Sequence, residues 1–244
     1  ILQSSWVEVA LSNIYDWGSK HNRLLIASLG AALLAIGGAY WWQDSQRRQA
    51  REIQVSFADA LEIYHAPVGE EIEDNQEGFS ISGHRFSTDD ERLNNALKAF
   101  QTIVDHDPSE NIPILAQYYT ALLLKERSQG EKAKAILRSV ILKSERPEIR
   151  NMARNSLAQI LEVENHPGTA SELLEEILED ATPSFPEEPI LFRLAQNQEL
   201  ANNTDEALKF YRKLLADYPS SGYTEEAQKK IQQLEEKSEL VFQD

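Results

Sequence analysis

The chain has 244 residues, a formal net charge of −16 and no cysteine. The absence of cysteine excludes disulfides, thiolate metal sites and cysteine nucleophiles, and the acidic balance argues against general binding to nucleic acid. Residues 1–51 contain five basic and three acidic groups, so the acidic excess lies in the rest of the chain. This uneven distribution predicts a membrane-facing end and a solvated body.

The first expected segment, residues 1–23, is amphipathic. Within it we predict a short helix over residues 5–17, with Trp6 and Trp17 on its apolar face as interfacial anchors. Two interpretations stay open: this helix lies in the membrane interface, or it docks on the surface of a partner protein.

The next segment, residues 24–43, contains no charged side chain. Twenty helical residues span about 30 Å, which is the thickness of the hydrocarbon core of a bilayer. Trp41 and Trp42 lie at one end of the segment, where amphipathic rings favour the membrane interface. The segment predicts one uncleaved transmembrane helix, and the competing interpretations are a buried core helix and a signal peptide.

Small residues recur along this predicted span and would let another helix approach its backbone closely. The predicted packing residues are Ala27, Gly30, Ala31, Ala35, Gly38 and Ala39. They indicate a lateral partner in the membrane, either a second copy of the chain or an integral membrane complex. The alternative is that these residues reflect only the ordinary abundance of alanine and glycine in membrane helices.

A juxtamembrane helix is predicted over residues 44–65, and it could continue directly from the span because no proline or glycine lies between Ala39 and His65. Residues 66–88 are rich in glycine, serine and acidic side chains, which predicts a flexible, solvated insertion. The carboxylates of this insertion could bind a hard cation, but their spacing does not match that of a calcium loop.

The remaining segment, residues 89–244, contains a repeat of 37 residues. A small residue, a large residue four positions later and an apolar residue seven positions later share one helical face in each unit. The signature residues are Ala96, Ala133, Ala170 and Ala207, followed by Phe100, Leu137, Leu174 and Tyr211, with Pro108 and Pro219 after the first and last units. This pattern predicts stacked helical hairpins, with a polar capping helix over residues 224–240.

At these positions the chain resembles the tetratricopeptide repeat family. The match in the last unit includes Leu191, Leu194, Ala195, Ala207, Tyr211, Leu214 and Pro219. The first helix of the first unit is expected within residues 48–65, and Gln117 and Arg154 occupy positions where the family has an aromatic residue. The resemblance implies an α-solenoid with a groove for a peptide or protein. Together with the predicted transmembrane helix before it, the expected fold is all-α.

The layout as a whole resembles the bacterial family of ancillary Sec translocon subunits. That resemblance implies an accessory or chaperone-like factor of an integral membrane complex, located in the inner membrane with its repeat domain outside the cytoplasm. The lysine and arginine residues next to the span slightly favour the opposite orientation. The alternative function is a structural accessory subunit of a respiratory or photosynthetic complex that docks through its transmembrane helix.

Catalytic motifs are missing from the sequence. The five histidines are scattered without a repeated ligand spacing, and the chain has neither a phosphate-binding glycine loop nor a GxSxG motif. We therefore predict a protein that is not an enzyme and that has no catalytic, cofactor-binding or metal site.

Overall fold

The computed structural model describes residues 22–69, 83–105, 111–180 and 185–241, and within these ranges the side chains of 22–33, 46 and 238–241 are outside the description. The described residues form α-helices and contain no β-strand beyond one isolated bridge. The helices are α1 (Asn22–Tyr64), α2 (Asp89–Val104), α3 (Asn111–Glu126), α4 (Gly130–Lys143), α5 (Pro147–Val163), α6 (Pro167–Glu179), α7 (Glu187–Leu200), α8 (Thr204–Asp217) and α9 (Thr224–Val241). The chain divides into two compact units, Ile1–Val55 and Ser56–Asp244.

In the first unit, the described chain is the amino-terminal part of α1. This helix continues without a break beyond residue 43, so the predicted span and juxtamembrane segment belong to one helix. No helix in the described part of the chain combines the length and apolarity that crossing a bilayer requires. The predicted transmembrane helix over 24–43 is therefore not confirmed.

The predicted packing and anchor residues of this unit are only partly described. Trp6 and Trp17 lie outside the described residues, and so do the surroundings of Ala27, Gly30 and Ala31. The remaining ones, Ala35, Gly38, Ala39, Trp41 and Trp42, are exposed. A Cβ atom built on Gly38 would meet no atom within 4 Å, so the structure shows nothing packed against this position.

The second unit is an array of helical hairpins in which each helix packs against the next one along the chain. Helices α3 and α4, α5 and α6, and α7 and α8 form three hairpins, and α9 covers α8. Residues 56–64 of α1 lie beside α2, since the rings of Phe57 and Phe100 are in contact and the Arg92 guanidinium donates to the Tyr64 carbonyl. We call these two helical segments the first hairpin. The all-α solenoid predicted from the sequence is confirmed in this unit.

Fully buried alanines allow the helices to approach closely. The repeat alanines Ala96, Ala133, Ala170 and Ala207 have no exposed surface, and neither do Ala121, Ala158 and Ala195, which come 12 residues before the last three of them. Ala60 is also fully buried, but it lies 36 residues before Ala96. The turn of the first hairpin is therefore 24 residues longer than the others.

Aromatic rings hold the first hairpin to the next one. The Phe57 ring packs edge-on against the rings of Phe100 and Tyr119, with centroid distances of 5.8 Å, and the Phe100 and Tyr119 rings stack at 5.2 Å. The hydroxyl of Tyr64 donates a hydrogen bond of 2.6 Å to Oε1 of Glu126. Edge-on and offset ring pairs add favourable electrostatics to the buried area, so this cluster fixes residues 56–64 against α2 and α3.

The turns inside the three regular hairpins share one backbone geometry. Ser128, Asn165 and Asn202, spaced 37 residues apart, have φ angles of 58°, 61° and 60° in the left-handed region. In the first of these turns the amide of Gln129 donates to the carbonyl of Leu124 at 2.8 Å, and the other two turns repeat this bond. This is a Schellman motif, which satisfies the last carbonyls of the preceding helix. It sets the same entry angle for α4, α6 and α8.

The left-handed turns lead to a test of stability. Serine is a poorer residue than asparagine in this conformation, and glycine adopts it without strain. We expect Ser128→Gly to increase the free energy of unfolding by about 1 kcal/mol, because the strain relieved exceeds the entropy that glycine adds to the unfolded chain. Asn165→Gly, the matched change in the next hairpin, should gain less. Urea unfolding of both variants measures the difference, and a larger gain at position 165 would contradict this account of the turn.

Candidate functional site

The first helices of the hairpins are buried on more sides than the second helices. Helices α4, α6 and α8 alternate buried and exposed positions, whereas the middle turns of α3, α5 and α7 contain only buried and half-buried residues. A helix that is covered nearly all round lies inside its fold. The surface that α3, α5 and α7 retain is therefore recessed, which is the form of a binding groove.

Four positions on each first helix form this recessed surface. In α5 they are Met152, Asn155, Gln159 and Glu162, which are half-buried and follow the spacing of one helical face. The 37-residue repeat places equivalent residues on the neighbouring helices. We call these twelve residues the first-helix face; its other members are Leu115, Tyr118, Leu122 and Lys125 on α3 and Pro189, Phe192, Gln196 and Glu199 on α7. Tyr118 and Phe192 are buried, and the other members are half-buried.

The first-helix face changes character along the helices. Its first position is apolar in all three hairpins, with Leu115, Met152 and Pro189. Its last position is charged in all three, and two of these charges are negative. One edge of the face can therefore pack against apolar side chains, and the opposite edge can bind polar or basic groups.

The charged edge is ordered by contacts between successive first helices. Nζ of Lys125 donates to Oε1 of Gln159 at 2.8 Å. Nη2 of Arg193, from α7, donates to Oε2 of Glu162 at 2.8 Å. The side-chain amide Nδ2 of Asn197 donates to Oε1 of the same carboxylate at 2.9 Å. Each hairpin is thus tied to the next one on this face.

Glu199 repeats the arrangement one hairpin later. Nζ of Lys230, from α9, donates to Oε2 of Glu199 at 2.9 Å, and Arg193 and Lys230 are themselves 37 residues apart. The fully buried Tyr211 donates a hydrogen bond of 2.6 Å from its hydroxyl to Oε1 of Glu199. Burial, followed by this bond to a carboxylate, raises the pKa of the Tyr211 phenol above its usual range.

Open clefts lie between the described helices. One of about 400 Å³ opens on the charged edge of the first-helix face. Its lining residues are Glu162, Gln196, Asn197, Glu199, Leu200 and Lys230. A second cavity of about 500 Å³ is lined by residues of α2, α3 and α4, including the half-buried Ile136. Both are open clefts of the size that accommodates a few side chains of a partner.

The repeat signature residues predicted from the sequence support this face without forming it. The four alanines and the four large residues that follow them are fully buried between helices. Pro219 follows α8, and Pro108 lies outside the described residues. The face itself was missed by the sequence interpretation, although positions 152, 155, 159 and 162 of a predicted helix, extended by the 37-residue period, could have identified it.

The fold and the first-helix face together define an α-solenoid of the kind that binds other proteins. A family model described as tetratricopeptide repeat-like domain matches residues 16–188, and a tetratricopeptide repeat model matches residues 190–221. The chain therefore belongs to the tetratricopeptide repeat-like domain family. This fold is a protein–protein interaction module and is typically a noncatalytic scaffold. No curated protein matches the chain.

Several solved structures show similar helical repeats. The TPR-like repeats of a putative kinesin light chain from Podosopora anserina are 15% identical, with a TM-score of 0.47, and the match covers 64% of this chain and 91% of that one. PilW, a type IV pilus biogenesis factor, is 16% identical with a TM-score of 0.46, covering 59% and 60%. MamA is 15% identical with a TM-score of 0.44, covering 64% and 94%.

Tyr211 should lower the free energy of unfolding of the chain at alkaline pH. Its raised pKa means that the folded chain keeps the phenol proton where the unfolded chain, with a pKa of about 10, has lost it. The free energy of unfolding should therefore be unaffected by this group below about pH 10 and should fall as the pH rises above that value.

The variant Tyr211→Phe tests this dependence. It should reduce the fall by about 1.4 kcal/mol per pH unit, and it should cost about 1 kcal/mol at pH 7 through loss of the bond to Glu199. Urea unfolding between pH 7 and pH 11 measures both effects. Parallel curves for the variant and the parent chain across this range would contradict the assignment.

Proposed function

We propose that this chain is a membrane-tethered binding module whose first-helix face holds a segment of a partner protein. The observation that supports the proposal most directly is the recessed face, which presents an apolar row and a charged row at constant spacing on three consecutive hairpins. Tetratricopeptide arrays bind a peptide or a helix by such repeated contacts. The chemistry of the face favours a partner segment with apolar side chains along one edge and, along the other, polar groups that can share the hydrogen bonds of Glu162 and Glu199.

The anchor part of the proposal is supported by the exposed surface of α1. The large apolar residues of its described part that lie within 24–43 are Leu34, Ile36, Tyr40, Trp41 and Trp42, and they are between 65% and 79% exposed. Contiguous apolar surface of this kind usually marks a membrane or protein contact. Since residues 24–43 also carry no charge, we propose that a lipid bilayer surrounds these exposed apolar side chains.

The layout supports a more specific role. We propose that the chain is an accessory or chaperone-like factor of an inner-membrane complex similar to the Sec translocon, with its repeat domain outside the cytoplasm. The second candidate, a structural subunit of a respiratory or photosynthetic complex, would use the same anchor. The two candidates differ in the protein that occupies the first-helix face.

Site-specific photocrosslinking tests the occupant of the face. A photoreactive amino acid placed at Gln159 or Gln196, both half-buried members of the face, should give an adduct with the same protein in native membranes. The matched control is Gln228, an exposed glutamine on α9 outside the face, which should give none. Mass spectrometry of the adduct then identifies its class.

The outcomes of this experiment separate the proposals. Adducts with translocon subunits or with secreted proteins support the translocon-like role, and an adduct with one respiratory or photosynthetic subunit supports the alternative. Adducts of equal yield from positions 159, 196 and 228 would contradict binding on the first-helix face.

Charge insertion tests the anchor. An arginine near the centre of a transmembrane helix costs about 2.5–3.5 kcal/mol, so the double variant Leu34→Arg, Ile36→Arg should move the full chain from the carbonate-resistant membrane fraction to the extractable fraction. The matched control, Gln54→Arg with Val55→Arg, adds the same charge to exposed positions of α1 beyond residue 43 and should stay in the membrane. Equal extraction of the two double variants would contradict the proposed anchor.

A further inference from the structure

We propose that Asp59, Glu62 and His84 bind a divalent transition-metal cation of the zinc type. Each residue offers one ligand atom, and the three atoms lie within 4.8 Å of one another. Nε2 of His84 and Oδ1 of Asp59 lie 2.8 Å apart. The donors come from two separate parts of the chain, and they belong to the first hairpin, which contributes no residue to the first-helix face.

The fold brings these donors together by two independent devices. Asp59 and Glu62 are three residues apart on α1, so their side chains lie on the same side of the helix. His84 lies in the segment before α2, where its ring is parallel to that of Phe86 at a centroid distance of 6.5 Å. The site therefore joins a helix to the segment that follows the long insertion.

Backbone hydrogen bonds hold that segment in place. The amide of Phe86 donates to the carbonyl of Pro67 at 3.2 Å, and the amide of Gly69 donates to the carbonyl of Phe86 at 3.1 Å. Gly69 has a φ angle of 137°, which favours glycine at this position. The two ends of the insertion are thus fixed by the backbone, and His84 is positioned without relying on the metal ion.

The donor set selects the class of cation. An imidazole nitrogen with carboxylate oxygens suits zinc and its first-row neighbours, whereas calcium requires six to eight oxygen ligands and magnesium requires an octahedron of oxygens. Two carboxylates balance the charge of a divalent ion. Zinc–ligand distances of about 2.0–2.2 Å place the donors of a tetrahedral site roughly 3.4 Å apart, which small side-chain rotations from the observed positions achieve.

The electrostatics and accessibility of the cluster favour an exchangeable site. Asp59 and Glu62 bring two negative charges close together on one helix, and a cation bound between them would relieve their mutual repulsion. The side chains of Asp59 and His84 are 54% and 37% exposed, so an ion can enter from solvent. Three protein ligands leave at least one coordination position to water or to a group of a partner.

Calorimetric titration of the full chain with zinc chloride tests the proposal. The protein should be in detergent and should carry no polyhistidine tag. We expect His84→Ala to remove one zinc equivalent or to weaken its binding at least tenfold, and Glu62→Gln to weaken the same site. Magnesium chloride should give no binding at this site.

Matched controls distinguish this site from other histidines and carboxylates. His166→Ala changes an exposed histidine of another hairpin, and Glu52→Gln changes an exposed carboxylate of the same helix; both variants should bind zinc as the parent chain does. Zinc should also raise the midpoint of thermal unfolding of the parent chain and of His166→Ala more than that of His84→Ala.

Two results would overturn the proposal. One is the absence of zinc binding by the parent chain at millimolar zinc, which would leave an ordinary histidine–carboxylate contact. The other is an equal affinity and stoichiometry of zinc for the parent chain, for His84→Ala and for Glu62→Gln. If His84→Ala fails to fold by circular dichroism, Glu62→Gln against Glu52→Gln decides the question, because both substitutions are conservative changes on one helix.

Discussion

The close approach of helices at fully buried alanines is the constraint on which the rest of this structure depends. At positions such as Ala133 and Ala170 a side chain of one carbon lets two helix backbones come together, and the large residue four positions later fills the space beside it. Since a larger side chain at these points would separate the helices, the spacing between hairpins is fixed at every unit. A constant spacing is what converts separate helices into a surface with aligned rows of side chains.

The orientation of each hairpin depends on the turn as much as on the core. The left-handed residues Ser128, Asn165 and Asn202 reverse the chain in the same way three times, so the first helices of the hairpins present equivalent residues in the same direction. The hydrogen bonds of Glu162 and Glu199 then hold neighbouring first helices in register at the charged edge. Because each of these carboxylates already has a partner from the next helix, a bound segment would share or displace an existing bond, which favours recognition by geometry over recognition by an unpaired charge.

Sequence patterns predicted the solenoid well because its determinants are local and repeated. The period of the alanines and the apolar positions after them sufficed for the second helices, which have one buried and one exposed side. The same sequence patterns were less informative for the first helices, because burial on most sides removes the difference between an apolar and a polar face. Departures from the family pattern were also visible, but their structural role was not: Arg154 stands at an aromatic position of the family, and only the structure shows that it pairs with Glu176 on α6 and with Asp180 directly after that helix. The cluster of Asp59, Glu62 and His84 could not be found by motif, because its second and third members are separated by the insertion.

The first hairpin differs from the others in its turn, its first helix and its packing, and these three differences are related. Its turn is 24 residues longer, its first helix belongs to α1, and its packing on the next hairpin relies on the aromatic cluster around Phe57 and Tyr119. A long turn adds loop entropy only slowly with length, so the insertion itself costs little stability provided that its ends are held. The bridge between Val68 and Phe86 holds those ends, and the Asp59–His84 contact adds a side-chain link between the helix and the far end of the turn.

An insertion placed in any of the regular hairpins would have to replace the left-handed turn that sets the entry angle of the second helix. The first hairpin has no such turn among its described residues, since its two helices are aligned by the bridge and the aromatic rings, and it is therefore the unit that tolerates the insertion.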